Sequence, residues 1–279
     1  MLHYINVTLP LVFFVVMEII IGKLKNILAK HEGPIFTLKW NKNCGFLLSG
    51  SLDRTAIVWN TSTWDCSQQF DFHSAGTVDA DWRNNVSFAT CSTDNKVYVC
   101  RVGKKEPVKV FVGHQDEVNA VRWDPSGSLL ASCSDDGTTK IWSLSQDKSL
   151  HDFKDHQQEV YTIRWSPTGL GTDNPNQQPI LASASFDTTI KLWDVASGSL
   201  LYTLNRHRGA VYSLAFSPNG QFLASGSEDK YLHIWSLKEM KLIKTFNGDG
   251  SIFDICWNKE GDRIAACLSN NLCIIDFRM

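Results

Sequence analysis

The sequence predicts an all-β fold built from one repeated antiparallel unit, and three observations carry that expectation. The first is the unit itself, clearest from Gly113 to Trp142, which reads GHQDEVNAVRWDPSGSLLASCSDDGTTKIW. A Gly-His opens it, and apolar runs ending at Trp123, Cys133 and Trp142 are separated by Pro/Gly/Asp turns, the signature of a short-stranded meander. The second is recurrence. Apolar runs begin at His31, His73, His114, His156 and His207, with a degenerate sixth unit after Asp249-Gly250. The third is register. Trp40, Trp82, Trp123, Trp165 and Phe216 each lie nine residues after their unit's His. Asp53, Asp94, Asp136, Asp187 and Asp229 each lie six residues before Trp59, Cys100, Trp142, Trp193 and Trp235.

A recurrence of about 41 to 42 residues with four strands per unit is the period of a WD-type β-propeller blade. One such meander buries only one of its faces, so it needs neighbours of its own kind. The chain therefore resembles the WD-repeat superfamily from Ala29 onward. The expected fold is a propeller of about six blades over residues 23–279, with repeats near 31–70, 73–111, 114–153, 156–204, 207–246 and 249–277. The last unit stops after its third strand at Ile274-Ile275-Asp276-Phe277, and the chain before His31 has the character of an outermost strand. A strand near Leu24–Leu28 is thus expected to complete the last blade and close the ring.

Residues 1–22 stand outside the pattern as an unassigned apolar tail. The run Leu9–Ile21 contains Glu18 and is shorter than the roughly 18 apolar residues of a membrane span. It lacks the basic flank and small-residue cleavage site of a signal peptide. It reads as a tail docked on the propeller or as the product of an alternative start. The fourth unit carries an insertion, residues 169–179, that is either a specific contact or tolerated surface slack.

Composition bounds the partners. With 27 Lys+Arg against 29 Asp+Glu the formal charge is −2, which argues against a general phosphate-binding surface, so neither nucleic acid nor membrane is expected as a direct partner. The eight Cys form no C-x-x-C pair, and no metal site or cofactor is expected. Cys91, Cys133 and Cys267 lie in apolar runs, where buried free thiols suit a reducing compartment.

The repeated polar residues are His31/Ser49/Asp53, His73/Thr90/Asp94, His114/Ser132/Asp136, His156/Ser183/Asp187 and His207/Ser225/Asp229. A hydrolase needs one such constellation beside a cleft and an oxyanion hole. Five copies are scaffold, so no catalytic residue is expected. Binding must then come from the surface. The position five residues after each His begins the innermost strand and gives Phe36, Val78, Asn119, Tyr161 and Tyr212, with Phe253 in the last unit. Nearby turns add Glu117, Asp135, Glu159, Phe186 and Glu228. Aromatics among carboxylates can hold a Lys- or Arg-bearing peptide, or can simply pack between blades beneath solvated acids.

Longer stretches are more specific. HEGPIFTLKWNK (31–42), DADWRNNVSFATCSTD (79–94), EVNAVRWDPSGSLLASCSDD (117–136), EVYTIRWSPTGLGTDNPN (159–176), LASASFDTTIKLWDV (181–195) and SIFDICWNKEGDRIAAC (251–267) are similar to the transducin β-like corepressor family, and the closing DFRM to its plant-type members. In WD-repeat blades the turn Asp accepts hydrogen bonds from the His, which is linked through Ser or Thr to the Trp indole. The resemblance implies four-membered structural sets that include Trp59, Trp142, Trp193 and Trp235, with Cys100 replacing Trp in the second unit. It also implies a nuclear, non-enzymatic subunit of histone deacetylase corepressor complexes that contacts histone tails and deacetylase subunits. A ubiquitin-ligase substrate adaptor or signalling scaffold is the alternative. Family members begin with a LisH dimerisation motif and an F-box-like segment and carry eight blades. This chain reads as an N-terminally truncated member, without the segment expected to support self-association.

Overall fold

The computed structural model describes residues 14–18, 23–169, 174 and 177–278. The chain folds as two compact units, Met1–Val121 and Arg122–Met279. In the first, β1 (Phe14–Glu18) and β2 (Lys23–Leu28) form a two-stranded sheet. There follow the sheet of β3 (Ile35–Trp40), β4 (Phe46–Ser51), β5 (Ala56–Asn60) and β6 (Cys66–Phe70), and that of β7 (Thr77–Trp82), β8 (Ser87–Ser92), β9 (Lys96–Arg101) and β10 (Lys109–Val112). The division falls within β11 (Val118–Trp123), which heads the sheet continued by β12 (Leu129–Ser134), β13 (Thr139–Ser143) and β14 (His151–Phe153).

The second unit holds β15 (Val160–Trp165), β16 (Ile180–Ser185), β17 (Ile190–Asp194) and β18 (Ser199–Leu204), then β19 (Val211–Phe216), β20 (Phe222–Ser227), β21 (Tyr231–Ser236) and β22 (Lys241–Asn247). A three-stranded sheet of β23 (Ile252–Trp257), β24 (Arg263–Leu268) and β25 (Leu272–Asp276) ends it. Every described strand pairing is antiparallel, and spatial order follows chain order within each sheet.

The turn after each repeated Asp has a common backbone. Arg54, Asn95, Gly137, Thr188 and Lys230 all have φ between 66° and 76°, although only one of them is glycine. A left-handed residue costs roughly 1–2 kcal/mol when it carries a Cβ, so the Asp that precedes it has to hold the turn. Packing also repeats. Within the second unit β15 lies beside β19 and β19 beside β23, and within the first β3 lies beside β7. The residue after each Ser or Thr of the polar set must therefore be small, because the next sheet's first strand crosses it. A Cβ on Gly226 would sit 2.6 Å from Ile252 Cγ2, and one on Gly50 would sit 2.9 Å from the methyls of Thr37 and Thr77. Cys91 and Cys133 fill the same register and are fully buried.

One expectation fails. β2 pairs with β1, in register Phe14 with Leu28 and Glu18 with Lys23, and does not supply a fourth strand to β25. By register β2 is a fourth strand: Leu28 lies three residues before His31, as Phe70, Phe111, Phe153 and Leu204 lie before His73, His114, His156 and His207. Its partner is nonetheless local. Four residues separate β1 from β2, so their pairing carries far less loop-closure entropy than pairing across most of the chain. The rest of the 1–22 stretch lies outside the described residues.

The crossing predicts a stability effect. Gly226→Ala should lower stability by about 1–3 kcal/mol through overpacking against Ile252, read as a reduced melting temperature with an unchanged strand spectrum.

Candidate functional site

A carboxylate only accepts hydrogen bonds, so its partner nitrogen on each imidazole carries the proton. His31 Nδ1 donates to Asp53 Oδ2 at 2.7 Å, the Ser49 hydroxyl donates to His31 Nε2 at 2.7 Å, and the Trp59 indole donates to Ser49 Oγ at 2.9 Å. His73 meets Asp94 at 3.0 Å and Thr90 at 2.9 Å, with buried Cys100 where the indole would be. In the third repeat Trp142 donates to Ser132 at 2.8 Å, Thr138 donates to Asp136 Oδ1 at 2.6 Å, and His114 is buried. His156 bridges Asp187 and Ser183, both at 2.8 Å, and Trp193 donates to Ser183 at 2.8 Å. His207 bridges Asp229 at 2.9 Å and Ser225 at 2.8 Å, and Trp235 donates to Ser225 at 2.9 Å.

These sets have the membership of a hydrolytic triad and the wrong accessibility. Ser49, Ser132, Ser183 and Ser225 are each 0 % exposed, and an indole occupies each hydroxyl oxygen. No substrate carbonyl reaches them. The single Cys among the sets is equally inert, since burial pushes the Cys100 thiol up to about 12.

Each carboxylate accepts several hydrogen bonds. Burial alone would raise the Asp187 carboxyl, but hydrogen bonds from His156, Thr189 and the Gln157 N–H outweigh it and hold the group well below the usual carboxylate range. Asp229 behaves alike: burial opposes, and His207 with the Arg208 and Tyr231 N–H groups prevails. In both, Oδ2 takes the imidazole together with the next backbone N–H, and Oδ1 takes the N–H two residues on.

The positions that begin the inner strands prove to be β-bulges. Register shifts fall between Ile35 and Thr37, Thr77 and Asp79, Val160 and Thr162, Val211 and Ser213, and Ile252 and Asp254. The extra residues are therefore Phe36, Val78, Tyr161, Tyr212 and Phe253. A bulge leaves its residue unpaired and re-aims its side chain, and Phe36, Tyr161 and Phe253 are 48 %, 43 % and 44 % exposed.

In the second unit four of the candidate aromatics touch. Tyr161 stacks on Phe186 with centroids 5.8 Å apart and meets Tyr212 edge-on at 5.5 Å. Phe186 meets Tyr212 edge-on at 5.9 Å, and Tyr212 stacks on Phe253 at 5.3 Å. The Phe186 N–H donates to the Glu159 carbonyl at 3.0 Å, which seats its turn over β15. Glu228 is exposed nearby. Desolvation first, and then the charge of Glu228, raise the Tyr212 phenol. Asp135 and Glu159 are half-buried on turns of the same unit. Phe36, exposed Glu117 and half-buried Asn119 belong to the first unit.

Several contacts were not anticipated from sequence. The indoles of Trp165 and Trp257 donate to the backbone carbonyls of Arg122 and Ala215 at 2.9 and 3.0 Å, and Trp82 donates to that of Lys39 at 2.9 Å. Asn174 of the insertion donates to the Asn219 carbonyl at 2.7 Å, which anchors it on the β19–β20 turn. His233 on β21 is buried with its ring centroid 4.3 Å from that of His207. Burial, the neighbouring His207 and Arg206 push its imidazole down to about 4, against the attraction of Asp229.

Acid response follows with a definite sign. Between about pH 6.5 and pH 4 the unfolded chain binds a proton at residue 233 that the folded chain does not, so stability rises with pH across that window. His31, lowered first by burial, adds to the same slope. The carboxylate contribution, present above the usual carboxylate range, is lost only at lower pH as Asp187 and Asp229 protonate. Melting temperature should therefore fall from pH 7 to pH 4.5, and His233→Gln should flatten part of that fall. Asp187→Ala should cost about 1–3 kcal/mol by stranding His156 and its hydroxyl, measured by denaturant titration at pH 7.

Comparisons agree with this architecture. The family profile described as WD domain, G-beta repeat matches residues 22–60 and 240–276, and that described as WDR90, 4th beta-propeller matches residues 117–238. The Arabidopsis thaliana WD40 repeat-containing protein HOS15 is 61 % identical over 259 residues, 92 % of this chain and 42 % of that protein. The Mus musculus F-box-like/WD repeat-containing protein TBL1X is 54 % identical over 258 residues, 92 % of this chain and 49 % of that protein. The chain thus spans less than half the length of either relative. The C-terminal WD40 domain of Sif2 matches with a TM-score of 0.82 at 24 % identity, over 95 % of this chain and 75 % of that one, which establishes the WD40 β-propeller fold.

Proposed function

This chain is a WD-repeat protein homologous to HOS15 and TBL1X, and we propose that it serves as a non-enzymatic scaffold in a nuclear histone deacetylase corepressor complex. In this reading the propeller presents histone tails and partner subunits to each other, and a partner performs the deacetylation. The buried serines agree with a scaffold role.

The observation that carries the proposal is the aromatic group made by the bulges of β15, β19 and β23 together with Phe186 of the β16–β17 turn. Its rings lie 5.3 to 5.9 Å apart by centroid, too close to admit a cation between them. They form a packed platform whose outer faces remain accessible at Tyr161 and Phe253. A lysine or arginine of an extended peptide would lie across that platform, with Glu228 and Glu159 to steer it. Lysine acetylation removes the charge that both contacts need, so the unmodified tail is the preferred ligand.

The test is titration of unacetylated and acetylated histone-tail peptides onto the folded protein at two salt concentrations. The unacetylated peptide should bind more tightly, and more so at low salt. Glu159→Lys with Glu228→Lys should weaken binding about tenfold or more and flatten its salt dependence, while Tyr161→Ala should weaken it with little change in salt dependence. Equal binding of both peptides, unmoved by the charge reversals, would remove this face from consideration.

A further inference from the structure

The third strand of the fifth repeat departs from its sisters at one buried position. Two residues before the Trp or Cys that ends each polar set stand Ile57, Tyr98, Lys140, Lys191 and His233. His233 is 3 % exposed, and its Nδ1 bonds Thr245 Oγ1 at 2.9 Å. Among the described residues no protein group hydrogen-bonds its Nε2. One donor atom from each of His207, Asp229 and His233 lies within 4.8 Å of the others.

The Asp turn beside it is altered as well. In three of the four sister turns a threonine hydroxyl occupies the carboxylate: Thr55, Thr138 and Thr189 reach Oδ1 of Asp53, Asp136 and Asp187 at 2.7, 2.6 and 2.6 Å, and Thr55 and Thr189 approach the imidazole Nδ1 at 3.3 and 3.4 Å. Here that residue is Tyr231. Its ring turns outward and stacks on His233, with centroids 5.9 Å apart and planes 6° from parallel. Asp229 Oδ1 keeps only the Tyr231 N–H at 3.0 Å. Asp229 Oδ1 thus keeps room for a further donor and His233 Nε2 has no hydrogen bond, in a turn where three of the sisters place a threonine hydroxyl.

We propose that His207, Asp229 and His233 form a binding site for a divalent transition metal of the zinc and cobalt class. Two imidazole nitrogens and one carboxylate oxygen suit such borderline ions, whereas calcium and magnesium require shells of oxygen. Thr245 acts as an outer-shell partner: by accepting the Nδ1 proton of His233 it directs the Nε2 lone pair inward. Coordination at His207 Nδ1 displaces the proton now shared with Asp229. That proton moves to Nε2 and is donated to Ser225 Oγ, whose hydroxyl turns to a backbone carbonyl, as Ser49 Oγ already approaches the Ile57 carbonyl at 3.4 Å. The imidazole changes tautomer and no net proton leaves. Tetrahedral zinc with bonds of about 2.1 Å needs donors about 3.4 Å apart, so the three groups draw together by up to about 1.4 Å on binding. Water completes the shell.

The probe is cobalt(II) alone, titrated into the chelator-treated protein and followed by visible ligand-field absorption, with zinc(II) as competitor. The parent should develop tetrahedral cobalt bands that zinc abolishes, and zinc should raise its melting temperature. His233→Gln should weaken binding at least tenfold, its melting without metal showing whether it folds. Tyr231→Thr is the second variant. It restores the sister hydroxyl to Asp229, leaves His233 in place, and should also weaken binding. Absence of cobalt bands, unchanged affinity in both variants, or intense thiolate-to-metal absorption that assigns the ion to cysteines would overturn the proposal.

Discussion

One carboxylate per repeat holds the architecture. Asp53 shows how: its Oδ1 accepts from the N–H and hydroxyl of Thr55 at 2.9 and 2.7 Å, and its Oδ2 from His31 Nδ1 and the Glu32 N–H at 2.7 and 2.9 Å. Two of those donors belong to the turn between the second and third strands, and two to the segment that enters the first. A single side chain therefore fixes a left-handed turn and ties it to chain some twenty residues earlier. Desolvation opposes the charge, yet four donors outweigh it and keep the carboxyl low. The imidazole then orients a hydroxyl, and the hydroxyl accepts an indole. Every polar group of this Asp53–His31–Ser49–Trp59 relay has a partner, which is the condition under which a buried network stabilises a fold.

A second set of contacts joins sheet to sheet inside each unit. Asp79 takes the Thr37 hydroxyl on one oxygen and the Val121 N–H on the other, at 3.1 and 3.2 Å, and so spans three successive first strands of the first unit. In the second unit Ser213 donates to Asp254 at 3.0 Å and accepts the Ile255 N–H at 3.1 Å. The indoles at the far ends of the inner strands reach back to carbonyls of the preceding one. Small residues behind the serines let those strands approach closely. The apolar core lies between such strands and is layered: Leu232 and Ile234 face Ile252, Ile255 and Ile264 in one cluster, and Ile190 and Leu192 face Val211 and Leu214 in another.

Much of this was legible because it repeats. The nine-residue step from His to Trp or Phe and the six-residue step from Asp to Trp or Cys recur five times, and each predicted strand has a counterpart near its expected place. What the pattern could not carry was partner choice. β2 has a fourth strand's register, but register does not say which edge it joins, and a nearby apolar segment competes with a distant one on entropy alone. The indoles of Trp165 and Trp257 are visible in sequence, while the carbonyls they reach depend on sheet spacing. The bulges were hidden too, since a single extra residue alters no spacing within a strand. His233 was overlooked for a related reason: it lies twenty-six residues from His207, outside any compact ligand motif.

The division of labour between buried and exposed positions explains how so uniform a scaffold can be specific. Turn carboxylates, serines and small residues are constrained by contacts on every side, so they vary little from repeat to repeat within this one chain. The bulge residue is constrained on one side only. Its backbone is fixed by the register shift while its side chain projects outward, and the five shifted positions accordingly hold Phe36, Val78, Tyr161, Tyr212 and Phe253. Diversity concentrates where the ladder gives the chain one residue more than the neighbouring strand can pair. The same irregularity that interrupts the sheet is what supplies its surface with distinct chemistry, and the run of aromatics in the second unit follows from three consecutive bulges carrying rings.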